Sequence, residues 1–330
     1  MKSDECSRIE ALLHNVPDGE IAVAYHSATR DFVLQTEQFF PQGAGKGQID
    51  AYAVFPGVDA AYHVFSAPKV AFRHAPAPGV LELFHCHSGR VGWNMRGGMA
   101  IYLGAEDMTM HSATCCADSA MMFPLGYVEG LSISIDPQRL AANLPEALQE
   151  ANFQPQKLFA AFCQEKPVAL PACPPLEGLF APLYAAHPAL RKPYLQLKIQ
   201  ELLLYLMELK PEQLATSRYS SQQAEWIKGI HQQLTEHLDQ RFTIEALAKQ
   251  YLINASTLKE VFKAVYGLPI ATYMKEYRMR RAMKLLRETE ASIADIAAQV
   301  GYETQGKFAQ AFKDVAHALP TEYRKQYVQR

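Results

Sequence analysis

The rhythm of apolar and polar residues changes along the chain and divides it into regions. Residues 21–26, 32–37, 62–65, 80–87, 91–95, 100–103 and 131–135 are short, often alternating segments separated by Gly, Pro and Asp, and read as strands. In the last, Leu131, Ile133 and Ile135 face one way and Ser132 and Ser134 the other, the pattern of a half-buried strand. Ser88-Gly89 predicts a hairpin turn between the strands at 84–87 and 91–95, and residues 104–107 a second turn. So many short strands in so little chain predict a small sandwich or barrel of jelly-roll type.

From Pro137 the period becomes helical. Residues 137–151 and 156–164 predict short helices, followed by a proline-rich loop through Pro182. Residues 193–209, from Pro193 to Leu209, are strongly amphipathic, with Leu195, Ile199, Leu202, Leu203, Leu206 and Leu209 along one side and Leu204 and Tyr205 widening it. That surface packs on the domain's own sheet, pairs with a second subunit, or does both. Residues 211–223, rich in Ser and Gln, read as a linker, and Ile227, Ile230, Leu234 and Leu238 open a last helical region.

That region contains one pattern twice. Thr243-Ile244 and Leu247-Ala248 lead to Leu258 and Phe262-Lys263; Ser292-Ile293 and Ile296-Ala297 lead to Phe308 and Phe312-Lys313. The offset is 49 residues for the first halves and 50 for the second, so the second copy has a turn one residue longer. Thr243, Ser292, Asn254 and Thr304 stand where helix N-caps are wanted. Each copy is a helix-turn-helix, and residues 269–287 form the helix between them. Its apolar positions are Ile270, Tyr273, Met274, Tyr277, the Arg278 stem, Met283 and Leu286; Lys275, Arg278, Arg280, Arg281, Lys284 and Arg287 make the other face basic.

Charge separates along the same boundary. Residues 241–330 carry 15 Lys and Arg against 9 Asp and Glu, and the remainder 17 against 25. A basic helical module on an acidic body is expected if one end meets phosphate. The reading surfaces follow from helix-turn-helix geometry, in which the second helix enters the major groove. In the first copy they are Asn254, Ser256, Thr257, Lys259, Glu260 and Lys263; in the second, Thr304, Gln305, Gly306, Lys307, Gln310 and Lys313. Gln pairs with adenine edges and Lys with guanine, while Lys263 and Lys313, a turn later, suit phosphate.

From about Ile230 to Arg324 the chain resembles the DNA-binding region of the AraC/XylS family of bacterial transcription regulators. The resemblance rests on Leu247-Ala248, Leu258, Phe262-Lys263, Gly267, Tyr273, Arg278, Ala282, Leu285-Leu286, Ile293, Ile296-Ala297, Gly301-Tyr302, Phe308, Phe312-Lys313, Pro320 and Tyr323-Arg324. Ala316, His317 and Leu319 depart from it, standing where the family usually has an aromatic residue, Gly and Ser. The resemblance implies a cupin-like sensing domain at residues 1–136, a helical extension at 137–210 that can serve dimerisation, the linker, and a DNA-binding domain at 224–330: an α+β chain. It also implies double-stranded DNA, a small-molecule effector and RNA polymerase as partners.

Composition adds bounds. The chain has 330 residues, 49% apolar and 20% charged, with no apolar run long enough to span a membrane and no signal-peptide pattern at its start, so the expected location is cytoplasmic. Six cysteines without a C-x-x-C pair predict reduced thiols. A ligand pocket in the strand region would draw on Phe72, Phe84, Trp93, Tyr102 and Tyr127 as walls and His85, His87 and Arg90 as anchors. His85 and His87, with His111, Cys115 or Cys116, would be the metal ligands of the competing reading, a metal-dependent cupin-type enzyme carrying a DNA-binding domain. The spacing is not that of a metal site, and no cofactor is expected. Residues 43–47 imitate a phosphate loop but lack its first Gly and its Ser or Thr, and read as a flexible loop.

Overall fold

The computed structural model describes residues 2–27, 32–41, 43–95, 99–162, 167–210 and 219–328. They fall into two units, Met1–Ser220 and Ser221–Arg330.

The first unit contains two facing sheets among the described residues. With strands numbered along the chain, the larger has the order β1 (Ile21–Tyr25), β3 (Lys46–Phe55), β4 (Val58–Ser66), β11 (Tyr127–Ile135), β6 (Leu81–Gly89), β9 (Met108–Ser112), β12 (Val168–Leu170). The smaller has β13 (Tyr219–Ser220), β8 (Met99–Leu103), β7 (Val91–Met95), β10 (Ser119–Met122), β5 (Lys69–Arg73), β2 (Glu37–Phe39). The β1–β3 pair is parallel.

The strand period assigns each face of the larger sheet a different neighbour. Phe65, Phe84, Cys86 and Val128 point inward and meet Trp93, Ile101, Leu103 and Met121 of the smaller sheet. Leu81, Leu83, Leu131, Ile133 and Ile135 point outward, where α3 (Pro137–Ala142), α4 (Glu146–Glu150), α5 (Pro155–Phe162), α6 (Pro174–Ala185) and α7 (Arg191–Glu208) cover them. Tyr62 Oη donates to the Leu183 carbonyl at 3.1 Å and Gln196 to that of Val54 at 3.0 Å, pinning α6 and α7 to the sheet. The helical stretch 137–210 is therefore the outer layer of this unit. A first helix α1 (Lys2–Leu12), not expected from the sequence, buries Ile9 against Tyr127.

Several expectations fail for physical reasons. The turn at Ser88-Gly89 is not a hairpin: β6 pairs with β9 and β11, β7 with β8 and β10, so the chain crosses between sheets there. Residues 32–36 are irregular, and only Glu37 of that segment enters a strand, β2. The proline-rich loop contains β12 and α6. Pro174 and Pro175 sit in the first turn of α6, where a missing N–H is harmless, and Pro182 is tolerated inside it because Leu176, Leu179, Phe180 and Leu183 are buried. Lys46 and Gly47 begin β3 rather than ending a loop. Of the expected linker, residues 211–218 lie outside the described residues, Tyr219 and Ser220 form β13, and helix starts at Ser221.

The second unit is helical throughout: α8 (Ser221–Glu236), α9 (Ile244–Gln250), α10 (Ala255–Tyr266), α11 (Ile270–Glu288), α12 (Ile293–Gln299), α13 (Gln305–Ala316) and α14 (Pro320–Val328). Helix α11 packs on α8 and α10 at one end and on α12, α13 and α14 at the other. No helix among the described residues is long and apolar enough to cross a membrane.

Candidate nucleic-acid interface and ligand cavity

All four expected caps form. Thr243 accepts from Ala246 N at 3.1 Å, Asn254 from Thr257 N at 2.7 Å, Ser292 from Asp295 N at 3.1 Å and Thr304 from Lys307 N at 3.3 Å. Each satisfies an N–H that the helix leaves open. The turns are built alike: Ile253 N donates to the Ala248 carbonyl at 3.0 Å and Tyr302 N to that of Ala297 at 2.9 Å. Residues 251–254 join the first pair and 300–304 the second, the one-residue difference expected from the offsets.

Burying one face of each second helix leaves the other outside. Leu258, Val261, Phe262 and Val265 of α10 and Phe308, Ala311 and Phe312 of α13 are in the core. Asn254, Ser256, Lys259, Glu260 and Lys263 are exposed, Thr257 is half-buried, and Thr304, Gln305, Gly306, Lys307, Gln310 and Lys313 are exposed. Not all of these groups are free. Asn254 and Thr304 hold the caps, and Ser256 donates to Asn254 Oδ1 at 2.7 Å. Gln310 donates to Asp314 at 2.9 Å, and Lys307 lies 3.5 Å from Glu303. Lys259, Lys263 and Lys313 have no hydrogen bond or ion pair among the described residues.

The connecting helix is less of a basic rod than its sequence suggests. Its buried positions include Met279 and Ala282, which its apolar pattern does not single out, while Tyr277 and Met283 are half-buried. Lys275 pairs with Asp314 of α13 at 2.9 Å. Arg278 is half-buried beside Gly301, with burial lowering its pKa, and reaches the Gln240 carbonyl at 3.4 Å. Both cations serve packing, leaving Arg281 and Arg287 among the exposed ones. Helix α14 forms despite the departures before it: Tyr323 packs on Phe312 and Arg324 donates to the Ala291 carbonyl at 2.6 Å.

In the first unit a cavity of about 810 Å³ opens between the sheets. Of the residues expected to line a pocket, Phe72, Phe84 and Trp93 do. The others lie elsewhere because the pleat turns them away. His85 and His87 share the outward face with Leu83, and His85 stacks on Phe180 and His87 on Tyr184, both at 3.9 Å. Tyr184 Oη meets His85 Nδ1 at 3.0 Å, and Glu106 lies 2.9 Å from His87 Nδ1 and 3.3 Å from His85 Nε2, the latter a charge contact without hydrogen-bond alignment. Burial lowers the His85 pKa; it would raise that of Glu106, but hydrogen bonds from both imidazoles bring it down to about 2.

Tyr102 lies against Gly92 on the opposite face of its sheet from Trp93. Tyr127 packs under α1 and donates to Glu5 at 2.8 Å, and Arg90 sits beside Gly104. His111, the supposed third ligand to His85 and His87, is on the cavity side, and Cys116 is buried 3.6 Å from His74. Among the described residues no three His, Cys, Asp or Glu are grouped to hold a metal.

Most of the cavity's polar lining escapes the sequence pattern: Asp59, His63, His74, Glu82, Ser132 and Ser134. The alternation in β11 is the available signal. Its face bearing Ser132 and Ser134 reads as solvent-facing in the sequence, yet it faces an internal space.

Comparison with known proteins places the second unit. A family model described as a helix-turn-helix domain matches residues 247–326. The HTH-type transcriptional activator RhaR of Mannheimia succiniciproducens is 29% identical over 104 residues, covering 32% of this chain and 38% of that protein. The HTH-type transcriptional regulator AlkR of Acinetobacter baylyi is 36% identical over 86 residues, 26% of this chain and 28% of that protein. This chain thus spans well under half the length of these two relatives. The regulatory protein SoxS of Salmonella typhimurium is 31% identical over 98 residues, which are 30% of this chain and 92% of SoxS. With a relative of this identity matched over nearly its whole length, and with both helix pairs built and capped as the resemblance requires, the chain belongs to the AraC/XylS family of bacterial transcription regulators.

Proposed function

We propose that this protein is a sequence-specific DNA-binding transcription activator, acting in the cytoplasm, whose first unit senses a small molecule. The observation that carries the DNA-binding half is that α10 and α13 each bury one face and expose the other, with Lys259, Lys263 and Lys313 unengaged. Such helices, held by one rigid connector, suit major-groove segments about 34 Å apart on one face of the duplex. The sensing half rests on the cavity of about 810 Å³, within the size range of small-molecule sites. A ligand there acts only through differential affinity for two arrangements of the protein. Activation would proceed through contacts of bound subunits with RNA polymerase, with no enzymatic step.

The proposed assembly is a homodimer through α7. Its Leu195, Ile199, Leu202, Leu203 and Leu206 are buried on the sheet, but Leu197, 67% exposed, and Tyr194 remain outside.

The test uses DNA sites that differ at single base pairs. Lys259→Ala should change the ranking of sites, by about 1–3 kcal/mol where Lys259 meets a base. Lys313→Ala should weaken every site about equally and reduce the slope of log affinity against log salt by about 1. Identical behaviour of the two variants would contradict this division of labour.

A further inference from the structure

The cavity is chemically one-sided, and its chemistry points to a ligand class; that class deepens the sensing role proposed above and rests on it. One register row across four neighbouring strands of the larger sheet carries Asp59 (β4), Ser134 (β11), Glu82 (β6) and His111 (β9) side by side. Asp59, Ser134, Glu82 and His111 all line the cavity. With strands about 4.8 Å apart, the two carboxylate-bearing positions stand about 10 Å from each other, with Ser134 between them. Asp59 accepts a hydrogen bond from the Val33 backbone N–H, which fixes one of its oxygens.

The same lining leaves polar atoms unsatisfied. His63, 5% exposed, and His111, 3% exposed, each have an Nδ1 without a hydrogen-bond partner among the described residues, as does Glu82 Oε1. Buried polar groups of this kind cost stability unless something pairs with them. The charges are also unbalanced. Among the described lining residues the carboxylates are Glu37, Asp59, Glu82 and Asp118, while the guanidinium or ammonium groups are represented by Arg73, exposed and placed over the Phe39 ring. An anionic ligand would enter against these carboxylates without a buried cation to meet it. A cationic one would find acceptors, and Phe72, Phe84 and Trp93 present aromatic faces that attract positive charge.

From this geometry we propose that the cavity takes a small molecule with a protonated amine or amidine head, seated between Asp59 and Glu82, and an apolar body against Phe72, Phe84 and Trp93. The titratable groups lining the cavity with Glu82 are Asp59, His63, His74, His111 and Cys116. Burial holds the Glu82 carboxyl up at about 8 and His63 and His111 down at about 4. Near pH 7 the empty cavity therefore keeps Glu82 largely protonated and both imidazoles neutral. The arriving cation displaces the Glu82 proton to solvent, and the carboxylate left behind pairs with it.

Trp93 is one of two tryptophans, so Trp226→Phe in the full chain leaves it as the only fluorescent reporter of the cavity. Phenyl, cyclohexyl and n-hexyl bodies, each carried as a primary amine, an alcohol and a carboxylate, are titrated against it. The amines should bind saturably, at least tenfold tighter than the alcohols, with the carboxylates weakest. Glu82→Gln and Asp59→Asn should each weaken the amines tenfold or more. Calorimetry at pH 7 in two buffers of different ionisation enthalpy should give release of close to one proton per amine bound, abolished by Glu82→Gln. Alcohols or carboxylates binding as tightly as the amines would overturn the cationic class while leaving a sensing cavity in place. No saturable response from any body would overturn both.

Discussion

Leu252 and Gly301 occupy the same place in the two helix-turn-helix turns, 49 residues apart, and both have left-handed backbone, φ 54° and 81°. Their surroundings differ. Leu252 is 90% exposed, whereas a Cβ on Gly301 would fall 2.0 Å from the Leu238 carbonyl oxygen. Left-handed backbone costs a side-chain-bearing residue about 1–2 kcal/mol, and overpacking typically adds about 1–3 kcal/mol. Gly301→Ala should therefore destabilise the helical module by about 3 kcal/mol or more, read from the denaturant midpoint. Leu252→Gly should remain within about 1 kcal/mol of the wild type, on the stabilising side, because relieved backbone strain outweighs glycine's entropy. At this scale the caps and Gly301 were legible, since each follows from a local hydrogen bond or torsion. An exposed leucine in a left-handed turn was not, because it runs against residue preference.

Among elements, α8 is held on the module by His231, which stacks on Tyr266 at 4.3 Å and meets Tyr273 Oη at 2.8 Å. Burial first, and the nearby Arg280 second, push its pKa down to about 4. The unfolded chain then takes up a proton that the folded one refuses between about 6.5 and 4. Stability from this group is complete above about pH 6.5 and is lost as pH falls through that window. Melting temperatures of the chain measured from about pH 7 to 4.5 should fall, and His231→Gln should lessen the decline. A decline of equal size in that variant would remove His231 from the explanation. Helices with unbroken 3.6-residue patterns, α7 and α10 to α13, were readable at this scale. Helix α6 was not, because its three prolines argue locally for a loop and only the packing of Leu176, Phe180 and Leu183 outweighs them.

For the whole molecule, the apolar remainder of α7 decides the association state within the proposed function. Leu197→Asp places a charge on an exposed position without touching the buried leucines. It should shift sedimentation from dimer to monomer and leave the melting temperature nearly unchanged at high dilution. Unchanged sedimentation would place the dimer contact elsewhere.

The sequence by itself determined the doubled helix pairs, their caps, their unequal turns and the side of each helix that stays outside. These depend on neighbours within about four or five residues, and such patterns survive in any tertiary setting. Only the tertiary structure decided which face of each strand meets the helices and which meets the cavity. Strand period 2 states that two faces differ, but pairing partners far along the chain determine what each one faces. That is why His85 and His87, the expected ligand anchors, lie beneath α6, while Asp59, Glu82 and His111, unremarkable or misassigned in the sequence, come together on three strands around an interior space.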